Sequence, residues 1–217
     1  MIQEGEEKYK AALKEMWKQC FPTDTDAFVD FYFDAVYQND ETLVYVEDNQ
    51  PVAALQMIPY TIKTGHTLHP AGYISGVMTH PGYRKRGYME KLLNAAFEAM
   101  QQKGYDYTFL IPQEEWLVGF YGKYGFQVFV SPSLKNLKRL KRLKDLKKLK
   151  AYDEHARFLL TIPNAVLKSE RQFANMVVDF LAEGGEFIDS KEKQGMIKKI
   201  NPLVETVTSL YLGRMLD

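Results

Sequence analysis

Apolar side chains recur at helical spacing in the first forty residues of the chain. Over residues 6–21 they follow the i, i+4, i+7, i+8 pattern of an amphipathic helix, and they are Tyr9, Leu13, Met16, Trp17 and Cys20. Phe21-Pro22 ends this pattern, and Thr25 or Asp24 can then cap a second helix that reaches about residue 38. The chain therefore begins with two predicted helices.

From Glu41 the pattern changes to one typical of β-strands. Apolar runs over 43–46 and 52–58 flank a polar turn that includes Pro51, and a third strand is predicted over 71–79. A helix is expected between Gly87 and Gly104, since all its apolar positions keep helical spacing, namely Met89, Leu92, Leu93, Ala96, Phe97 and Met100. This helix has the clearest pattern in the sequence.

Shorter elements are predicted in the rest of the chain. They are a buried strand over 107–111, a helix over 114–123, a strand over 126–130, a helix over 169–183 and strands over 186–188 and 195–200. This order predicts an α/β fold with a mixed, mostly antiparallel central sheet, flanking helices and a short C-terminal α+β extension. We expect one main domain over 1–130, a linker over 131–152 and the extension over 153–217.

Composition and charge narrow the classes of protein that the chain can belong to. Hydrophobic residues make up 46% of the 217 positions, which is typical of a folded, soluble protein. Cys20 is the single cysteine, so an intrachain disulfide is impossible and a cytoplasmic location is expected. The polar N-terminus and the absence of any apolar run of about 18 residues argue against export and against a membrane span.

A basic segment at 134–150 contrasts with the overall balance of 28 basic and 28 acidic residues. Leucine recurs there every third residue, which drifts around a helix and forms no sustained apolar face. This argues against membrane binding, and the lack of interleaved aromatic residues argues against single-stranded nucleic acid. A solvated linker is the favoured interpretation, with binding to nucleic acid or an anionic surface as the alternative.

The stretch most informative about chemistry lies between the third strand and the third helix, and it reads Arg84-Lys85-Arg86-Gly87-Tyr88-Met89. Unpaired N–H groups at a helix N-terminus and flanking cations form an anion site, and Gly87 lets the backbone approach the anion closely. A pyrophosphate is a natural occupant. A solvated basic loop is the alternative interpretation of this stretch taken alone.

This stretch resembles motif A of the Gcn5-related N-acetyltransferase (GNAT) superfamily. Arg84 and Gly87 match the pattern of that motif, whereas Met89 stands where the superfamily usually has a small residue. The segment 119–126 is similar to the superfamily's Phe-Tyr-x-x-x-Gly-Phe signature. The basic triplet followed by glycine and apolar residues also resembles the branch of the enhanced-intracellular-survival aminoglycoside acetyltransferases. The resemblance covers about residues 1–130 and implies the acyl-CoA N-acyltransferase fold.

The resemblance implies an enzyme that moves an acetyl group from acetyl-CoA to a primary amine, by direct attack in a ternary complex. Its cofactor-binding residues would be Val77, Met78, Thr79, Arg84, Lys85, Arg86, Gly87, Tyr88, Met89 and Glu90. Tyr121 matches the tyrosine that donates a proton to the departing thiolate. Glu114, Glu115, His80 and the terminal carboxylate of Asp217 are the candidate bases.

The partner of the enzyme is expected to be a small-molecule amine, and the sequence leaves the oligomeric state open, a dimer included. His66, His69, His80 and His155 are too scattered for a metal site and are expected on surfaces or in turns. A non-catalytic acyl-CoA-binding module is a second alternative, against which Tyr121 argues.

Overall fold

The computed structural model describes residues 1–131, 150–182, 193–212 and 215. The strands there are β1 (Ile2–Glu4), β2 (Thr42–Glu47), β3 (Gln50–Thr64), β4 (Thr67–Thr79), β5 (Tyr107–Leu110), β6 (Gln127–Ser131), β7 (Asn164–Leu167) and β8 (Lys193–Lys199). The α-helices are α1 (Glu7–Cys20), α2 (Asp26–Phe31), α3 (Tyr88–Gln102), α4 (Glu115–Gly122), α5 (Lys150–Thr161) and α6 (Glu170–Ala182). A π-helix, Tyr32–Val36, continues α2, and 3₁₀ turns lie at Asn39–Glu41 and Pro81–Tyr83.

The described strands form a sheet in the order β1-β2-β3-β4-β5-β8-β6, with β7 paired to β3. Pairing is antiparallel between β1 and β2, β2 and β3, β3 and β7, β5 and β8, and β6 and β8. The mixed, mostly antiparallel sheet with flanking helices agrees with the predicted fold class.

The chain divides into two compact units, and the long strands β3 and β4 contribute residues to both. The first unit comprises Met1–Pro59 and Gly72–Tyr105. Its core is formed by the apolar faces of the first three helices and the strands they cover, and includes Leu13, Trp17, Val29, Phe33, Leu55, Leu92, Leu93 and Met100. Burial of one such leucine or aromatic side chain stabilises the fold by about 1.5–3 kcal/mol.

The second unit comprises Tyr60–Ala71 and Asp106–Asp217. Its core includes Ile62, Tyr107, Phe109, Phe129, Leu159 and Leu210. In this unit β8 lies between β5 and β6, so a strand from beyond the predicted linker completes the pairing of strands that precede it. The proposed domain boundaries at 130 and 152 stay a prediction.

Several elements differ from the sequence-based expectation. β1 and β7 were not expected, because neither has an alternating apolar pattern longer than a few residues. The second predicted helix changes at Tyr32 from α to π geometry, where the N–H of Tyr37 bonds the carbonyl of Tyr32 at 2.8 Å. The basic segment 134–149 and the predicted strand 186–188 lie outside the described residues. In the part of the chain that the structure describes, no helix is long and apolar enough to cross a membrane.

Candidate functional site

A kink in β4 begins the candidate site in the first unit. Gly76 has a φ of +56°, a conformation that glycine adopts at little cost. The Trp17 ring lies directly against it, since a Cβ on Gly76 would stand 2.7 Å from Trp17 Cζ3. Of the predicted cofactor-binding residues that follow, Met78 is buried and Val77 and Thr79 are half-buried.

The end of β4 is held in place from two sides. The N–H of His80 bonds the carbonyl of Val52 at 2.9 Å, and the Cys20 thiol donates to the carbonyl of Thr79 at 3.3 Å. His80 Nδ1 accepts a hydrogen bond from the N–H of Gly82 at 3.2 Å, which shapes the 3₁₀ turn. These bonds fix where the following loop departs from the sheet.

Backbone dihedral angles in this loop alternate in sign. Lys85 has a φ of +65° and Gly87 a φ of +75°, whereas Arg86 between them is not in the positive-φ region. Alternating left- and right-handed residues turn successive N–H groups to one side and form a nest that binds anions. A Cβ on Gly87 would meet no atom within 4 Å, so the space over the loop is open.

The loop leads directly into α3, with Gly87 as its N-cap. The first intrahelical bond runs from the N–H of Lys91 to the carbonyl of Gly87 at 3.2 Å. The preceding N–H groups at the helix N-terminus therefore have no partner within the helix. Tyr88 is buried, Met89 half-buried and Glu90 exposed at this end. The structure thus brings together residues 84–90 around a feature suited to an anion.

The two arginines of the loop bond to protein groups, whereas the lysine between them forms no hydrogen bond or ion pair with a described residue. Arg84 Nε donates to the carbonyl of Thr79 at 3.3 Å. Arg86 Nη2 donates to the carbonyl of Gly82 at 3.4 Å, and its guanidinium lies 4.8 Å from the centroid of the Tyr83 ring. Lys85 is exposed. The three cations, equivalent in sequence, differ in their surroundings.

Glu47, at the end of β2, was not anticipated as part of this region. Its Oε1 lies 3.5 Å from Arg86 Nη1, and its Oε2 accepts a hydrogen bond from the Tyr88 hydroxyl. That hydrogen bond raises the pKa of Tyr88 above its ordinary value. The Tyr88 ring stacks on Tyr45 with 4.3 Å between centroids. Position 47 carries no sequence signal for this role, because it follows an ordinary strand pattern.

Tyr121, the predicted proton donor, belongs to the second unit and lies on α4. It is 5% exposed, and its ring packs edge-on against Phe120 and Phe126. None of the described residues hydrogen-bonds its hydroxyl. Burial raises the pKa of Tyr121 above its ordinary value, so the phenol stays protonated at neutral pH.

The candidate bases are not brought together in one place. Glu114 and Glu115 are exposed at the start of α4, where Glu114 Oε2 accepts from Trp116 Nε1 at 2.6 Å. His80 lies in the first unit, in the turn described above. Asp217 lies outside the described residues. No base is therefore assigned.

Two histidines differ from the expectation of ordinary surface or turn positions. His155 on α5 is 8% exposed, and neither of its ring nitrogens has a hydrogen-bond partner. His69 Nδ1 donates to Asp106 Oδ2 at 2.8 Å, and its Nε2 lies 2.9 Å from Thr64 Oγ1. Among the described residues, no group of three or more His, Cys, Asp or Glu side chains could hold a metal ion.

A search against protein-family models matches residues 2–129 to the acetyltransferase (GNAT) domain. The chain belongs to the GNAT acetyltransferase family. This membership confirms the predicted superfamily and its fold, and it shows that residues 2–129 form an acetyltransferase domain. No curated protein is similar enough in sequence to count as a relative.

Solved structures share the GNAT fold at low sequence identity. Eis1 from Mycobacterium abscessus has a TM-score of 0.60 at 9% identity, over 87% of this chain and 49% of Eis1. A GCN5-related N-acetyltransferase from Kribbella flavida has a TM-score of 0.54 at 17% identity, over 82% of this chain and 49% of that one.

A GCN5-related N-acetyltransferase from Anabaena variabilis has a TM-score of 0.52 at 18% identity, over 61% of this chain and 34% of that one. The chain thus spans between 34% and 49% of the length of these three solved structures. Such identities show a shared fold, and the predicted relation to the enhanced-intracellular-survival branch stays a prediction.

Proposed function

We propose that this GNAT protein binds acetyl-CoA at the loop 84–90 and transfers the acetyl group to a primary amine of a small molecule. The observation that carries the proposal is the alternating backbone at Lys85–Gly87, which leads into the unpaired N–H groups of α3. A backbone nest followed directly by a helix N-terminus forms a binding site for a diphosphate. The open space over Gly87 leaves room for it.

Different residues of this region would contact different parts of acetyl-CoA. Backbone N–H groups from Lys85 to Glu90 would hold the pyrophosphate, and the exposed Lys85 ammonium would add a direct cationic contact. Arg84 would support the site by its bond to Thr79, which steadies the end of β4. Val77, Met78 and Thr79 would contact the pantetheine arm, with a backbone N–H facing the thioester oxygen as charge develops there.

Acetyl-CoA supplies an acetyl group activated as a thioester. In the proposed reaction the neutral amine forms the new N–C bond, the C–S bond breaks, and the thiolate takes a proton. Tyr121 is the proposed donor of that proton. Because burial raises its pKa, the phenol stays protonated but is a weaker acid than free tyrosine, so we expect donation to accompany C–S cleavage rather than to precede it.

Two glycines at opposite ends of α3 allow a matched test of the loop. Gly87 and Gly104 have φ angles of +75° and +72°, and an added Cβ would meet nothing within 4 Å at either position. Gly87→Ala and Gly104→Ala therefore impose the same backbone strain, about 1 kcal/mol. Only Gly87→Ala places a methyl group where the diphosphate would approach.

Calorimetric titration with acetyl-CoA and CoA separates the effect of backbone strain from the effect of a methyl group at the diphosphate position. We expect micromolar binding to the wild type and to Gly104→Ala, and binding at least tenfold weaker to Gly87→Ala. Lys85→Ala should weaken binding several-fold, whereas Lys103→Ala, an exposed lysine at the other end of α3, should not. Equal affinity in both glycine variants, or no binding by the wild type, would refute the site.

The two alternative functions considered from the sequence predict different experimental results. A non-catalytic acyl-CoA-binding module would bind acetyl-CoA and acetylate none of a panel of primary amines. A protein that acts through the basic segment 134–150 would bind DNA or anionic liposomes with a steep salt dependence that deletion of the segment abolishes.

A further inference from the structure

A continuous chain of buried polar side chains crosses the first unit. The Tyr32 hydroxyl donates to Gln56 Oε1 and lies 3.0 Å from Ser75 Oγ. Gln56 Nε2 donates to Thr42 Oγ1 at 3.4 Å, and the Thr42 hydroxyl donates to the carbonyl of Gln38 at 2.7 Å. All four side chains are buried, with exposed fractions between 0 and 6%. A polar chain this deep in an apolar core is costly unless each group is paired.

Hydrogen-bond chemistry permits only one direction along this chain. A backbone carbonyl accepts and never donates, so the proton of Thr42 goes to Gln38 and the oxygen of Thr42 must accept from the Gln56 amide. The carbonyl end of that amide then faces Tyr32 and accepts its proton. Since the phenol has no second proton, the Ser75 hydroxyl must donate to the Tyr32 oxygen.

The direction of these hydrogen bonds determines which ligand groups Ser75 can still bind. Its one proton is committed to Tyr32, so its oxygen can only accept further hydrogen bonds. None of the described residues donates a hydrogen bond to that oxygen. A ligand group that meets Ser75 must therefore be a donor, such as an amine or ammonium, and a carboxylate or carbonyl would find no partner.

The position of Ser75 in β4 connects this chain with the candidate site. Ser75 directly precedes the kink at Gly76, and burial changes there, because Ser75 is buried whereas Gly76 and Val77 are half-buried. At the other side, Tyr32 is the first residue of the π-helix, a geometry often found at functional sites. Ser75, the end of this hydrogen-bond network whose oxygen can still accept, thus lies where β4 becomes accessible.

We propose that the Ser75 oxygen accepts a hydrogen bond from the amine of the acetyl acceptor. Tyr32, Gln56 and Thr42 act as positioning residues that commit the Ser75 proton inward and leave its lone pairs for the amine. The inference rests on the proposed function and adds to it the residue that recognises the acceptor. It predicts selectivity for hydrogen-bond donors over anions of the same shape.

The test uses the full chain with CoA bound and two probes of matched shape, benzylamine and benzoate. Benzylamine is an ammonium at neutral pH and donates, whereas benzoate only accepts. The backbone amide signals of Ser75, Gly76 and Val77 in ¹⁵N-correlated NMR spectra report binding. We expect saturable shifts with benzylamine in the millimolar range and none with benzoate.

Four variants separate recognition of the amine from folding. Ser75→Ala and Tyr32→Phe should each weaken benzylamine binding at least fivefold, and Ser75→Thr, which keeps the hydroxyl, should restore it. Tyr9→Phe is the matched control, because Tyr9 is another buried tyrosine in the same unit. Its hydroxyl accepts a hydrogen bond from Gln3 and takes no part in the network of Ser75, Tyr32, Gln56 and Thr42. Amide spectra of the whole protein verify that each variant is folded.

Equal shifts by both probes, no saturable shift by benzylamine, or unchanged benzylamine binding in Ser75→Ala would each overturn the proposal. Acetyl-CoA titration of the same samples keeps the two proposals distinct. If acetyl-CoA fails to bind, the proposed function fails whatever the amine does. If acetyl-CoA binds and Ser75 shows no preference for the amine, the inference about Ser75 alone is wrong.

Discussion

Arg86 and Glu47 lie 3.5 Å apart, so one of the three cations in the proposed phosphate loop is paired with a carboxylate from β2. Glu47 also holds the Tyr88 hydroxyl at the first residue of α3. One acidic side chain therefore contacts the loop on both sides of Gly87. Its negative charge lies close to where an anionic cofactor would bind.

Glu47→Gln should strengthen acetyl-CoA binding. The amide keeps a hydrogen-bond acceptor for Tyr88 and removes the charge that opposes the diphosphate. The side chains are partly exposed, so we expect a gain of about 0.3–1 kcal/mol, or about two- to fivefold in affinity. Calorimetry at low and high salt measures it, and the gain should shrink with salt. Glu98→Gln, an exposed carboxylate farther along α3, should have no effect, and weaker binding by Glu47→Gln would show that the carboxylate itself is required.

Tyr121→Phe should lower the turnover number about 100-fold if the phenol gives its proton to the thiolate. Because no described residue bonds this hydroxyl, the free energy of unfolding should change by less than about 0.5 kcal/mol. Steady-state release of CoA thiol and urea denaturation measure the two effects. Tyr152→Phe, on α5, is the control for activity. Unchanged turnover in Tyr121→Phe would remove the mechanistic assignment and leave cofactor binding intact.

His155 should make the fold sensitive to acid. Burial, aided by the Lys168 charge, lowers the pKa of His155 to about 4. The unfolded chain binds a proton at His155 below about pH 6.5, whereas the folded chain does so only near pH 4, so stability falls as the pH decreases through this window. From pH 7 to pH 5 we expect a loss of about 2 kcal/mol from this group.

His155→Leu removes the titrating group and tests this prediction by urea denaturation at both pH values. The leucine also replaces two unpaired ring nitrogens that pack near Phe173, so stability at pH 7 should rise by about 1 kcal/mol. A loss of stability between pH 7 and pH 5 as large in the variant as in the wild type would contradict the assignment to His155.

Asp106 should be a stabilising residue of the second unit. Its carboxylate accepts from His69 at 2.8 Å and from Asn201 Nδ2 at 2.8 Å. Asp106→Ala leaves both donors without their acceptor and should cost about 2–3 kcal/mol. Asp40→Ala, at an exposed position in the other unit, should cost far less in the same urea titration. A similar loss in the two variants would show that the network contributes little.

Much of the fold follows from periodicity alone. The helical spacing of α1 and α3 predicts these elements to within one or two residues, because each has an unbroken buried face. β1 and β7 are short strands whose place depends on partners distant in the chain, and no local pattern predicts such pairing. The π-helix at Tyr32 likewise depends on tertiary packing that overrides the local α-helical pattern.

The candidate site is predictable where a motif has a fixed spacing and unpredictable where it depends on long-range contacts. Arg84 and Gly87 are visible in the sequence because they belong to a contiguous loop. Glu47 and Ser75 are not, since each is one polar residue in a strand that resembles many others. Their significance comes from the residues that the fold places beside them.

The π-helix at Tyr32–Val36 contains one residue more than an α-helical turn needs, and this residue follows Tyr32, whose own N–H still bonds the carbonyl of Phe28 in α2. A deletion of one residue here would restore ordinary α geometry and make the helix intrinsically more regular. It would also turn Tyr37 by about 100° relative to Tyr32 and break the stacking of the Phe33 and Tyr37 rings, whose centroids lie 5.1 Å apart. The wider turn can thus be understood as an insertion that the fold tolerates, in which local helix stability is exchanged for the direction in which the chain leaves the helix.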